Sequence, residues 1–149
     1  MAERPSIAAA KPPVEVALSG VYVEHDADGI ERDVAVESRA AVPGSVIRYE
    51  ITTANTGAST VYHVVPQGRI PAGTAYRTGS ASIAASAHVE FSLDGGKTWS
   101  ATPTTTIRTA QGTKVVPAPA ASYTAVRWVG TAPLRAGAAA HYSYAVTVK

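Results

Sequence analysis

The sequence predicts an all-β protein, an antiparallel sandwich of short strands. Three observations predict it. Apolar and polar residues alternate at period two in several segments, the pattern of a strand with one buried and one wetter face. Turn signals recur about every ten residues, the spacing expected of a sandwich or barrel. The composition is rich in Ala, Thr, Val, Ser, Gly and Pro and poor in Leu, which disfavours long amphipathic helices and suits strands joined by turns.

The elements follow in order. Pro5, Pro12 and Pro13 exclude a helix and bias their predecessors toward extended backbone, so residues 1–13 read as an extended tail and a candidate donor segment. Residues 14–149 are expected to form one domain. Val14, Val16 and Leu18 alternate with Glu15 and Ala17, and Val21 and Val23 follow Gly20. Asp26-Ala27-Asp28-Gly29 signals a turn, with Arg32 to Glu37 returning as a partner strand. Val42-Pro43-Gly44 launches the clearest strand, Ser45 to Asn55, where Ile47, Tyr49 and Ile51 share one face and Arg48, Glu50 and Thr52 the other. Asn55-Thr56-Gly57 ends it, and Thr60 to Val65 reads as a strand resumed. Pro66 and Pro71 bracket a connection closed by Ala72-Gly73. Val89, Phe91 and Leu93 alternate with His88, Glu90 and Ser92 before Asp94-Gly95-Gly96 turns the chain. Ser100 to Ser122 reads as a long loop holding one strand, Lys114 to Val116. Val126 and Trp128 share a face, Pro133 to Gly137 turns, and Tyr142, Tyr144, Val146 and Val148 share a face of the last strand.

Length and charge bound the function. With 149 residues one core can hide roughly two-thirds of the unfolded chain's surface without a staple. There are no cysteines, which excludes disulfides, thiol catalysis and thiolate zinc sites. The net charge of +2 is not gathered into any Lys or Arg run, so no nucleic-acid partner is expected. No stretch approaches the ~20 apolar residues of a membrane span. Met1 to Ala10 carries no apolar signal core, so export would require a leader already removed. No repeat of roughly 20 to 50 residues and no strand–helix alternation is visible.

The ordered turns and strands resemble a known family. Val42-Pro43-Gly44, Ile47-Arg48-Tyr49-Glu50-Ile51, Asn55-Thr56-Gly57, Ile70-Pro71-Ala72-Gly73-Thr74, Tyr76 and Gly79-Ser80-Ala81 follow the order of the DUF11-like conserved repeat of bacterial and archaeal surface proteins. Phe91 to Gly96, Val126-Arg127-Trp128 and the Gly137 turn continue the resemblance to the end of the chain. It implies an immunoglobulin-like sandwich, a place outside the cell or in its envelope, and no catalytic residues. This chain departs from the tandem arrays of that family in having one copy. The segment before Val42 and the stretch Ser100 to Ser122 are also long for a minimal repeat.

The remaining motifs have structural and chemical readings. Ser92-Leu93-Asp94-Gly95-Gly96-Lys97-Thr98-Trp99 is similar to the Asp-box of sialidase-type propellers. There an Asp accepts backbone N–H groups inside a tight hairpin whose base a Trp covers. Trp99 is the candidate ligand contact if this end of the domain binds a glycan, with Ser100 to Ser122 beside it. Asp26-Ala27-Asp28-Gly29 resembles the opening of a calcium loop, making Asp26 and Asp28 the candidate calcium ligands. The later bidentate acid is absent from its offset, and a plain Asp-Gly hairpin explains the same letters. His25, His63, His88 and His141 are isolated, and no G-x-S-x-G, phosphate loop or H-E-x-x-H occurs. The expectation is therefore a non-enzyme without a cofactor. Two roles are open. One is a subunit that assembles with copies of itself through sheet edges, as a filament or surface layer, with Val14, Val16 and Leu18 as the assembly residues. The other is a carbohydrate- or surface-binding adhesion module.

Overall fold

The computed structural model describes residues 13–36, 41–84 and 86–149. The predicted donor segment, up to residue 12, lies outside the described residues. Ten strands form: β1 (Val14–His25), β2 (Glu31–Ala35), β3 (Val46–Asn55), β4 (Gln67–Arg69), β5 (Thr74–Tyr76), β6 (His88–Ser92), β7 (Thr104–Thr109), β8 (Gly112–Pro117), β9 (Ala125–Val129) and β10 (Ala139–Val148). They make a five-stranded sheet of order β2-β1-β3-β10-β5, a three-stranded sheet of order β4-β9-β6 and a separate β7–β8 ribbon. All pairings within the sheets are antiparallel. The protein is all-β, as the alternation predicts.

The two larger sheets pack face to face, and the alternation decides which side chains meet. On β3, Ile47 and Ile51 turn inward and are 6% and 1% exposed. On β10, Tyr142, Tyr144 and Val146 do the same, and Val126 and Trp128 of β9 face them with no exposed surface. Trp128 lies 5.2 Å from the Tyr142 ring and 6.3 Å from the Tyr144 ring, centre to centre. Its indole N–H, which would be costly to bury unpaired, donates to the Ser82 carbonyl at 2.9 Å. The sheets are also joined by polar contacts. Tyr144 donates its hydroxyl to the Arg69 carbonyl of β4 at 2.6 Å, and its ring lies directly against the Gly68 backbone. Buried Asn55 donates to the carbonyls of Ser59 and Leu134, both at 2.8 Å. Its own oxygen accepts from the Gly57 N–H, so the turn after β3 and the turn before β10 share one anchor.

One strand runs on through a glycine, and two segments differ from the sequence expectation. Val14 to Val23 is continuous, because Tyr49 lies over Gly20 on the core face and fills the place of its missing side chain. Thr60 to Val65 is not a strand. Only Val61 bridges to Leu134, and His63 at φ 59° breaks the extended backbone. Ser100 to Ser122 is not a loop with one strand. It holds the β7–β8 hairpin, closed by Ala110-Gln111 with Gly112 at φ 116°, and then a 3-10 turn at Ala120–Ser122.

The close approach at Gly68 gives a direct test of the inter-sheet spacing. A Cβ there would collide with the Tyr144 ring, so Gly68→Ala is expected to cost about 1–3 kcal/mol as overpacking. Tyr144→Phe should cost about 1 kcal/mol for the lost hydrogen bond. Both would appear as a lower urea midpoint at unchanged slope. A Gly68→Ala protein as stable as the parent would show that the sheets are not held at this spacing.

Candidate assembly surface

β1 is treated differently along its two halves. Pro13, opposite Thr56, accepts the Thr56 N–H at 2.8 Å. The register of the β1–β3 ladder then gives the odd-numbered residues of β1 to β3 and turns the main-chain groups of the even-numbered residues outward. From Val21 to His25 the outward side is occupied by β2. From Val14 to Ser19 no described strand pairs with it.

The side chains of this open stretch are equally uncovered. Val14, Val16 and Leu18 share the face of Tyr22, which is 3% exposed in the core. Yet Val16 and Leu18 are 64% and 59% exposed, while their register partners Thr53 and Ile51 are both 1% exposed. The small sheet ends in β4, whose Gly68 lies against Tyr144 of β10, two strands away from β1 in the large sheet. Leu18 therefore borders a groove of about 940 Å³ between the end of the small sheet and the large one. Tyr49 and Tyr144, stacked at 5.3 Å, lie in its wall with Gly68, Ile70 and Ala125. On the opposite side, between β5 and β6, Tyr76, Phe91 and Tyr123 pack together with ring centres 4.6–5.7 Å apart beside a smaller pocket of about 300 Å³.

The Asp94 hairpin is a folded knot of polar contacts. Asp94 accepts the N–H of Lys97 at 3.1 Å and of Thr98 at 2.9 Å, the Thr98 hydroxyl at 2.6 Å and the Ser92 hydroxyl at 2.8 Å. The Thr98 contacts come first in holding its carboxyl well below the usual carboxylate range, with Ser92 and Lys97 adding to them. Trp99 donates its indole N–H to the Gly96 carbonyl at 3.0 Å. Its ring carries the Arg127 guanidinium, 4.5 Å from the ring centre. Arg127 in turn holds Glu90 at 2.8 Å and lowers its pKa, and His88 is 3.2 Å from the same carboxyl. The candidate ligand contact Trp99 is thus engaged on one face and at its nitrogen.

The other candidates are dispersed. Asp26 spends one carboxylate oxygen on the N–H groups of Asp28 and Ile30, both at 2.9 Å, which fixes the β1–β2 turn with Gly29 at φ 79°. Among the described residues no group of three or more His, Asp or Glu side chains is placed to hold a metal ion. His141 lies 3.1 Å from the Thr52 hydroxyl across β10 and β3 on the exposed face. No helix among the described residues is long and apolar enough to cross a membrane.

Val14, Val16 and Leu18 are thus the sequence-derived candidates that share one surface. Tyr49, Gly68, Ile70 and Tyr144 complete it and were not signalled as such, since aromatic residues in alternating strands read as core. Among the described residues these features define an all-β protein with a groove on one side of the sandwich and a short stretch of β1 that pairs with no strand on its outward side. No protein-family model matches the chain, and neither curated proteins nor solved structures show a significant similarity to it.

The Asp94 hydrogen bonds set a pH dependence. A carboxyl whose pKa is lowered by folding stabilises the native state above its unfolded pKa, about 3.9, and that contribution is lost as pH falls toward the folded value. The Asp94 carboxyl is expected to remain ionised at pH 3 by carbon NMR. Asp94→Ala should flatten the loss of stability below about pH 4. Titration of Asp94 near the ordinary carboxylate value would refute the arrangement.

Proposed function

We propose that this protein is a non-catalytic structural subunit of the cell surface or extracellular space that assembles with copies of itself through sheet edges. The observation that carries the reading is the open half of β1, where outward main-chain groups lie beside the exposed Val16 and Leu18 and Leu18 borders a mainly apolar groove. Either feature alone is ordinary. Single exposed apolar residues need no explanation, and every open sheet has edges. Together they offer main-chain hydrogen bonds and apolar burial along the same short line, the combination used in strand addition. The resemblance to the DUF11-like repeat supports an immunoglobulin-like character and a surface location. The dispersed histidines and carboxylates, most of them tied into turns and ladders, support a role without catalysis.

The mass in solution tests this. Light scattering on the unmodified protein should give particles well above the single-chain mass of 15.3 kDa. Leu18→Lys places a charge on the open edge, the device that keeps edge strands apart, and should return the mass to that of one chain with little change in melting temperature. A single-chain mass for the unmodified protein at all concentrations would defeat the proposal.

A further inference from the structure

We infer that the groove beside β1 receives the segment Ser6 to Lys11 of a second copy, added as a strand to the open edge from Val14 to Ser19. This rests on the assembly reading and names the occupant of its surface. Four features support it. First, Pro5 and Pro12 bracket Ser6-Ile7-Ala8-Ala9-Ala10-Lys11, and each residue between them keeps the N–H that a ladder needs. Second, the lengths agree. At roughly 3.3 Å per residue, Ser6 to Lys11 and Val14 to Ser19 each span about 20 Å.

Third, the side chains fit the two environments. An added strand would alternate Ile7, Ala9 and Lys11 on one face with Ser6, Ala8 and Ala10 on the other. Ile7 and Ala9 would meet Val16 and Leu18, and Leu18 borders the groove walled by the Gly68 backbone and the Tyr49 and Tyr144 rings. Ser6, Ala8 and Ala10 would face water, beside Glu15 and Ala17 of the outer sheet face. Fourth, the point of departure matters. Pro13 is already bonded to Thr56, and Pro12-Pro13 favours continuation in an extended direction over the tight reversal needed to reach the chain's own β1 edge. Delivery to a neighbour avoids that reversal. Because donor and acceptor are different surfaces, the contact is head-to-tail and propagates as a chain of subunits unless the rotation closes a ring.

Cysteine cross-linking of the full chain tests this, since the protein has no cysteine of its own. With Ile7→Cys and Leu18→Cys in one chain, a short bis-maleimide should give a ladder of covalent multimers on a denaturing gel. Either single substitution alone should give none, and adding Ala9→Pro to the double variant should abolish the ladder. A dimer from Leu18→Cys alone would overturn the inference in favour of β1 pairing with β1 of another copy, leaving the assembly reading intact. An internal cross-link at single-chain mass would overturn it by placing the segment on its own edge. Large particles in light scattering without any ladder would overturn the inference alone, whereas single-chain mass without a ladder would overturn the assembly reading as well.

Discussion

The position of Tyr144 governs the rest of the structure. Its ring fills the space between the sheets, in contact with Trp128 and stacked on Tyr49, and its hydroxyl reaches the Arg69 carbonyl at the far sheet's end strand. Burial raises its pKa, so it remains a neutral donor throughout the physiological range. The short β4 strand pairs only with β9. Three residues of ladder are little to hold an end strand, and the Tyr144 hydroxyl supplies a second tether from the opposite sheet. Gly68 is what allows it, because a side chain there would push β4 off the ring. The width of the small sheet, and therefore the limit of the covered core, follows from this contact.

The two sides of the sandwich are filled to different degrees. Between β5 and β6 three aromatic rings pack on one another and border a smaller pocket of about 300 Å³. Between β1 and β4 the corresponding ring, Tyr49, is turned onto Gly20. It stabilises a strand that a glycine would weaken, and Leu18 beside it stays largely exposed. Full burial of a Val or Leu contributes about 1.5–3 kcal/mol. Leaving two of them 64% and 59% exposed forgoes much of that in the isolated chain.

Much of the layout was legible in the sequence because it depends on local rules. The alternation of Ile47, Tyr49 and Ile51 set the inward face of β3, and that of Tyr142, Tyr144 and Val146 set β10. Val42-Pro43-Gly44 and Pro71-Ala72-Gly73-Thr74 formed the turns that Pro and Gly demand, with Ser45 and Thr74 donating back to Val42 and Pro71. The Asp94 hairpin closed through the N–H groups that its motif implies. Of the β7–β8 hairpin only Lys114 to Val116 was legible, because both strands are exposed for most of their length and carry no apolar alternation to read. Thr60 to Val65 misled because its apolar residues are unevenly covered: Val61 bridges to Leu134, while Tyr62 and Val65 are exposed. The groove was invisible for a different reason. Which inward-facing residue is covered depends on how far the second sheet extends, and that is a property of β4 and Tyr144 rather than of β1.

The two halves of β1 show that the open edge is a distinct feature and not a general looseness of the fold. Beyond Val21 the sheet ends in β2, whose Glu31, Arg32 and Asp33 line its outer margin. Arg48 reaches across β1 from β3 to pair with Glu31 and Asp33. Exposed pairs of this kind are worth about 0.2–1 kcal/mol each, but a row of charges on an end strand also repels another strand seeking to pair. The far end of the sheet is blunted in another way, since β5 is short and the chain after it stays beside β10 through Arg77, Ser80 and Ser82. Among the described residues Val14 to Ser19 has neither protection. Its one charge, Glu15, points to the outer face, and its inward face is Val, Val and Leu. A sheet guarded at both of its ends is open along one stretch of about 20 Å, where its main-chain bonds and its apolar side chains are exposed together. That stretch is also where residues 1–12 join the domain, so the segment that would complete one copy's edge leaves from the same place on its neighbour.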